Sequence, residues 1–551
     1  MKNDRTIDSL RRRLTEIEND LVDQLAAGRI SRREFMRHGS VLGIALPILS
    51  GLAGGFGFPL ISRPAQAAAA GGTIRVAVQQ PAGAIEPVSV DDQGGLMMLH
   101  QTGEFLSISG PDLKLKPHLA ESWSPNKDGT VWTFKLRSGV KFHNGKTMTA
   151  DDVVATIERL ADPKNSSNAL SAFKGTLSLG GTKKVDDLTV EFHLDAPNGN
   201  FPYLVSSDNY NAIIIPADYA GDFEKTFIGT GPFKLDKFTP KVGASFVRND
   251  DYWGKKALPD RTEWTFFDSQ QAMALALQGG QVDIITQVPA VGSQGLLNDP
   301  HLQIISEKSC ACEQVHMRTD MAPFTDKRVR QALALCLNRK KLVKGLFQGR
   351  ASVGNDSPFA PVFPSTDTSV PQRDEDLGKA KELLAAAGMP KGFKVTLTTE
   401  KYLELPDYAV IIQNAAKKIG VEIELKVEAQ DAYYGKAVFG QSDWLDSVMG
   451  ITDYGHRGVP NVLLNAPLKS DGTWNSAHFQ NKEYDQLVSD YIVALDLGAQ
   501  RAAAGKIQRL LQEETPIIFA YFYDYLTPAR KNLTGVPPTP NRLFLSQAKL
   551  A

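Results

Sequence analysis

Two hydrophobic periods alternate along the C-terminal half of this chain. Phe393 to Thr398 reads as a strand, Asp407 to Ile419 as an amphipathic helix, and Glu422 to Val427 as a second strand. Strands that alternate with amphipathic helices argue for mixed α/β lobes, because each sheet face must be buried under the connecting helices. Nearer the N terminus, Trp132-Thr133-Phe134-Lys135-Leu136 alternates large apolar with polar residues, the period of a half-buried strand. Asp128-Gly129 and Asn144-Gly145 flank it as tight-turn dipeptides. Thr149-Ala150-Asp151-Asp152 predicts a helix start: a threonine cap, then two carboxylates facing the positive end of the helix dipole. Chemistry of this kind builds a scaffold and is not by itself a site.

The N terminus speaks to compartment. Ser31-Arg32-Arg33-Glu34-Phe35-Met36-Arg37 is followed by a charge-free run from Val41 to Ile61. That run is long enough to span a bilayer, but its five glycines and two prolines weaken it as a permanent anchor. Ala65-Gln66-Ala67 then gives the small-x-small pattern of a signal-peptidase site. The paired arginines resemble a twin-arginine export signal, which implies export of an already folded protein. An uncleaved membrane anchor is the alternative on the same residues. No cysteine lies near the cleavage pattern to take a lipid, so a freely diffusing periplasmic protein is the expectation. Upstream, Leu10, Leu14, Ile17, Leu21 and Leu25 recur at helical spacing amid charges and predict an amphipathic or coiled-coil helix.

Without residues 1–67 the chain keeps 484 residues, enough for two or three lobes, with 51 Lys/Arg against 55 Asp/Glu. That balance gives no basic surface for nucleic acid. Of three cysteines, Cys336 falls in the helical run Val329 to Leu342, and Cys310 and Cys312 are expected to stay unbridged. Glu313 and His316 stand near that pair, but zinc sites usually need wider spacing and a second ligand pair, so no metal and no cofactor is expected. Gly-x-Ser-x-Gly, His-Glu-x-x-His and Walker patterns are absent from the sequence, and the nine histidines are scattered.

Pro117-His118-Leu119-Ala120-Glu121-Ser122-Trp123, Gly139-Val140-Lys141-Phe142-His143-Asn144-Gly145 and Thr149 to Val153 occur in one order. Gly229-Thr230-Gly231-Pro232-Phe233, Asp251-Tyr252-Trp253-Gly254, Ala322-Pro323-Phe324, Arg328 to Leu333 with Asn338-Arg339 ending that helix, and Asn475-Ser476-Ala477-His478-Phe479 follow. This series resembles the signature of the extracytoplasmic solute-binding proteins of family 5, which feed peptide-type ABC importers. The resemblance implies an α/β periplasmic binding protein of type II, a Venus flytrap with two main lobes joined by a hinge plus an extra inserted lobe. The implied division gives residues 1–67 to the twin-arginine signal region with its helical leader. Lobe I takes 68–105, 196–295 and 516–551; the inserted lobe II takes 106–195; and lobe III takes 296–515.

The implied function is capture of a short peptide or related amine-bearing solute and its delivery, unaltered, to ABC permease subunits in the membrane. A monomer that is not an enzyme is expected. Within the family an opine, a glutathione-like conjugate, an oligosaccharide or a metal chelate remain alternative ligands. An exported hydrolase and a sensory partner are the other classes. A buried ammonium needs a partner, since an isolated buried charge is costly. The resemblance puts that partner in the segment Met449 to Gly458, where Asp453-Tyr454 matches the family's Asp-Tyr and Asp453 is the expected amine ligand. Shaping of a Gly-rich turn is the competing role for Asp453. Two positions depart from the family: Ile451 stands where an aromatic wall is usual, and Val448 near a base that some peptide binders carry. His456 and Arg457 are expected to meet a ligand carboxylate, Arg457 by a bidentate fork. The loop Ser89 to Gly94, with Asp91, is where the family offers backbone groups to an extended ligand. Tyr433, Tyr434 and Trp444 are candidates for the pocket wall, with the core as the more ordinary place for them.

Overall fold

The computed structural model describes residues 71–539 and 542–551, together with 11, 14–27, 29 and 35. It forms two compact units, Met1–Ala69 and Ala70–Ala551. In the first, Glu16–Ala26 is a helix closed by a reciprocal cap: Thr15 N–H donates to Glu18 at 2.6 Å, and Glu18 N–H donates to Thr15 Oγ1 at 3.4 Å. Leu21 and Leu25 of the expected apolar stripe are buried. The arginine pair, the Val41 to Ile61 run and Ala65-Gln66-Ala67 lie outside the described residues. Among the described residues no helix is long and apolar enough to cross a membrane.

The second unit is built on three sheets. A seven-stranded sheet runs in the order Leu302–Glu307, Tyr525–Arg530, Ile284–Ile285, Thr73–Gln79, Arg261–Phe267, Gly243–Arg248, Phe233–Thr239. A four-stranded antiparallel sheet holds Ala120–Pro125, Val131–Leu136, Thr189–His193 and Thr182–Asp186. Its strand Val131–Leu136 buries Trp132, Phe134 and Leu136, as the alternation predicts. Gly129 and Gly145 take φ of 74° and 87°, the left-handed backbone that their turn positions require. The helix Ala150–Ala161 starts where expected, but Asp152 does more than face the dipole. It is fully buried, accepts from the Thr149 N–H at 2.8 Å, and through its other oxygen accepts from Ala217 N–H at 2.8 Å.

The third sheet has five strands, ordered Glu422–Glu428, Lys394–Glu400, Met449–Tyr454, Cys312–Met317, Ile517–Phe519. Lys394–Glu400 and Glu422–Glu428 pair in parallel, joined by the helix Leu405–Lys417, so the predicted strand–helix–strand unit is present. Leu397, Ile412 and Ile423 meet in one core beneath it.

One continuous core contains Val76 and Trp264 from the seven-stranded sheet and Phe134 and Phe192 from the four-stranded sheet. Backbone pairing runs across the implied lobe bounds at two strands. Leu302–Glu307, read as lobe III, pairs with Tyr525–Arg530 in the seven-stranded sheet, and Ile517–Phe519, read as lobe I, pairs with Cys312–Met317 in the five-stranded one. Finally, Asn338 does not end a helix. Lys327–Leu335 stops earlier, and Asn338 caps the next helix, Arg339–Phe347, by accepting from Lys341 N–H at 3.0 Å.

Two crossings link the seven-stranded and five-stranded sheets: residues 308–311 between Leu302–Glu307 and Cys312–Met317, and residues 520–524 between Ile517–Phe519 and Tyr525–Arg530, a stretch that holds Tyr521–Tyr523, paired with Ala351–Val353 in a two-stranded sheet, and ends at Asp524. They are tied to each other. Asp524 accepts from Ser306 Oγ at 2.8 Å and Lys308 Nζ at 2.9 Å, and Ser309 Oγ donates to the Tyr523 carbonyl at 2.5 Å.

Candidate functional site: a carboxylate edge beside the crossings

Asp453 is the penultimate residue of its strand, directly opposite Glu313 in the antiparallel pair. Lys394–Glu400 runs parallel to the same strand, so Glu400 ends at the same edge of the sheet. Glu404, at the N-terminal boundary of the helix Leu405–Lys417, brings a fourth carboxyl group. Carboxyl ends of parallel strands are where open α/β sheets hold ligands.

Each of three carboxylates takes one tyrosine hydroxyl. Tyr523 donates to Asp453 Oδ1 at 2.7 Å, Tyr434 donates to Glu400 Oε1 at 2.7 Å, and Tyr521 donates to Glu313. Burial pushes Asp453 up to about 6, with Glu400 adding to the rise and Tyr523 and Arg457 opposing it. Burial also raises Glu404 to about 7 and Glu313 well above the ordinary carboxylate range. Glu404 adds to the burial that disfavours charge on Glu313, since the two carboxyl groups share one dry space. Tyr402, 39% exposed, has its phenol pushed up to about 12 by burial and by Asp453, Glu400, Glu404 and Glu313. The neighbouring ion pairs, Lys308–Asp524 and Arg339–Asp356, are made by other acids.

The other expected site residues separate. Tyr454 alternates to the opposite face of the strand from Asp453, is buried, and packs in the core holding Cys310, Cys312 and Trp474, with 6.0 Å between the tyrosine and tryptophan rings. It is a core residue there. His456 accepts from Cys310 N–H through Nδ1 at 3.2 Å. Burial, Arg542 and Arg457 push its imidazole down to about 3, so near neutral pH it is uncharged and carries its proton on Nε2. Nε2 is buried without a partner; His456 therefore offers a neutral N–H and no cation to a ligand carboxylate. The Arg457 guanidinium bonds carbonyls of its own loop, His456 O at 2.9 Å and Gly455 O at 3.4 Å.

Asp91 is exposed. Together with Arg457 it acts on the Tyr210 phenol, which is raised by burial first, lowered by Arg457 and raised by Asp91, so these three groups meet in one region. The loop around Asp91 is less available than expected. Asn211 Nδ2 donates to the carbonyls of Pro87 and Val90 at 2.7 and 3.0 Å, and Asn168 Nδ2 donates to Ser89 O at 2.6 Å. Of the aromatic candidates, Tyr433 is core and donates to Ile451 O at 2.9 Å, whereas Tyr434 joins the site through Glu400. Trp444 packs on Tyr434, with ring centres 5.2 Å apart.

Sequence reasoning missed Glu313, Glu400, Glu404, Tyr521 and Tyr523. One signal was present: Glu400 lies just past the strand predicted over Phe393 to Thr398. The three cysteines are free and buried, and among the described residues no group of His, Cys, Asp and Glu is placed to hold a metal ion.

Comparison with known proteins gives the family. Residues 114–454 match the model of the bacterial extracellular solute-binding proteins, family 5 Middle, and the chain belongs to that family. Among curated relatives, heme-binding protein A of Haemophilus influenzae is 28% identical over 416 residues, covering 69% of this chain and 73% of the relative. Dipeptide-binding protein DppE of Bacillus subtilis is 28% identical over 501 residues, covering 83% and 88%. Among solved structures, the unliganded open form of the periplasmic murein tripeptide-binding protein MppA aligns with a TM-score of 0.76 at 22% identity, covering 88% of this chain and 98% of that one. The periplasmic binding protein DppA of Helicobacter pylori with peptide STSA aligns at 0.66 and 24% identity, covering 87% and 98%.

Proposed function

We propose that this protein is the extracytoplasmic substrate-binding component of an ABC importer. It captures a short peptide or related amine-bearing solute between the body of the seven- and four-stranded sheets and the body of the five-stranded sheet. The observation that carries this reading is Asp453: a carboxylate at the sheet edge beside the crossings, held by one tyrosine hydroxyl and with no ion pair among the described residues. An arriving ammonium supplies the missing charge. Membership in a solute-binding family supports capture without chemistry, and the peptide-binding relative DppE supports the ligand class. The crossings at 308–311 and 520–524 serve as the hinge, and closure about them traps the guest.

In this reading the protein works as a periplasmic monomer, exported by the twin-arginine route through Arg32-Arg33, and hands its loaded form to the permease subunits. Native mass spectrometry of protein purified without denaturation tests the assignment. A retained, chemically intact amine-bearing solute is the expected result. A molecule recovered cleaved, or a retained ligand with no amine, defeats it.

A further inference from the structure

A cavity of about 140 Å³ lies between the end of the helix Gln93–Thr102, the start of the strand Phe233–Thr239 and the C-terminal segment 543–546. It shares no lining residue with the acids around Asp453. Its walls are tied down. Buried Gln101 donates through Nε2 to the carbonyls of Met97 at 3.1 Å and Leu543 at 3.2 Å, and Leu258 N–H donates to Ser546 O at 2.7 Å. Every lining residue is buried or half-buried.

The lining has two characters. Phe105, Phe233, Leu543 and Leu545 are apolar, buried, and part of the core shared by the seven- and four-stranded sheets. His100, whose ring meets the Phe105 ring edge-on at 5.3 Å, adds an acceptor. Its Nε2 donates to the Tyr210 carbonyl at 3.0 Å, so the proton sits there, and Nδ1 keeps a lone pair that is buried without a partner. Burial pushes this imidazole down to about 4, so it is uncharged near neutral pH. Glu104 lines the same cavity but has nothing left for a cation, because each of its oxygens already accepts from two donors. Size then sets the guest: a dry cavity of about 150 Å³ takes benzene, so one six-membered ring fits here.

We propose that this cavity is a second binding site, for a small neutral ring that carries one hydrogen-bond donor, a phenol. Its ring lies among Phe105, Phe233, Leu543 and Leu545, and its O–H donates to His100 Nδ1. A ring without the donor leaves that acceptor unsatisfied and gains only the apolar contact. The walls belong to one core, so hinge closure is not needed to assemble the site, and the proposal is independent of the amine reading of Asp453.

The test is titration calorimetry of the purified protein, Ser546→Phe and His100→Phe with phenol and with fluorobenzene, its isostere without the O–H. Ser546 is a half-buried part of the wall whose carbonyl, not its side chain, makes the bond to Leu258, so a ring introduced there fills the space. Saturable phenol binding below about 1 mM is expected, with fluorobenzene weaker by about fivefold. Ser546→Phe should abolish both, and His100→Phe should bring phenol down to the level of fluorobenzene. Absence of saturable phenol binding, or binding undiminished in Ser546→Phe, overturns the site. Equal affinities for the two rings in the parent protein overturn the assignment of a donor-bearing guest, whether or not His100→Phe folds.

Discussion

Two buried acidic neighbourhoods in the same unit are built in opposite ways. Glu104, next to the seven-stranded sheet, is saturated. It accepts from His118 Nε2 at 2.7 Å and Tyr252 Oη at 2.6 Å through one oxygen, and from Thr230 Oγ1 at 2.8 Å and Trp253 Nε1 at 2.9 Å through the other. Burial pushes its carboxyl up, but His118, Tyr252 and Trp253 together outweigh that and hold it below the ordinary value. At the five-stranded sheet, each acid has one tyrosine and its titration lies above the ordinary range. A buried carboxylate with all its lone pairs filled is scaffold. One with few donors in a dry setting is the better candidate for a ligand cation.

The largest expected effect tests the scaffold side. Glu104→Ala leaves a histidine, a tyrosine, a tryptophan and a threonine unpaired in the interior, and should cost about 3–5 kcal/mol in urea denaturation, the loss typical of breaking a buried charge network. A loss below about 1 kcal/mol would mean that saturation is not what distinguishes the two neighbourhoods. Next comes the site side. Asp453→Ala should weaken binding of an amine ligand by about 2–5 kcal/mol while leaving the unliganded fold no less stable. Calorimetry that shows unchanged affinity reduces Asp453 to a residue shaping its turn.

A smaller effect follows from the raised acids. The folded Glu404 titrates near 7 against an ordinary 4.5, so the stability contributed by its protonated form is complete below about 4.5 and is lost as pH rises through 7. The difference in stability between Glu404→Gln and the parent protein should therefore shift by about 1–3 kcal/mol in favour of the variant between pH 4.5 and 7.5. Glu104→Gln should show the opposite slope, since its carboxylate is favoured in the fold. Parallel curves for the parent and Glu404→Gln would remove the contrast.

The motifs legible in sequence belong to the saturated neighbourhood. His118, Thr230, Tyr252 and Trp253 come from three separate motifs of the family resemblance, and all four donate to the same Glu104. They stand out because a fully satisfied buried charge fixes many residue types at once. The strand–helix–strand unit at 394–428 was legible for the same reason: its periodicity is dictated by burial. The open acids were not. Glu400, Glu404 and Glu313 are ordinary residues at the ends of strands and helices; backbone register sets Glu313 opposite Asp453 and brings Glu400 to the same end of the sheet. A two-residue motif does not say which of its members faces which side; strand alternation sends Asp453 and Tyr454 to opposite faces, Tyr454 into the core with Cys312. His456 reads as a cation in sequence, and only its burial beside Arg542 makes it neutral.

The hinge supplies the smallest effect and the finest cut through the comparison. Asp524 takes two donors where Glu104 takes four, and its charged partner reaches water: the Lys308 side chain is 53% exposed against 3% for Asp524. An exposed cation keeps its hydration when unpaired, and Ser306 still donates to Asp524 at 2.8 Å after Lys308 is gone. Lys308→Ala should therefore cost no more than about 1 kcal/mol in urea denaturation, and less as salt is raised. A loss approaching that of Glu104→Ala would show that counting filled lone pairs is enough to define scaffold. A small loss means that the number and the burial of the donors both count: Glu104 takes four, Thr230 buried and His118, Tyr252 and Trp253 half-buried, against two at Asp524.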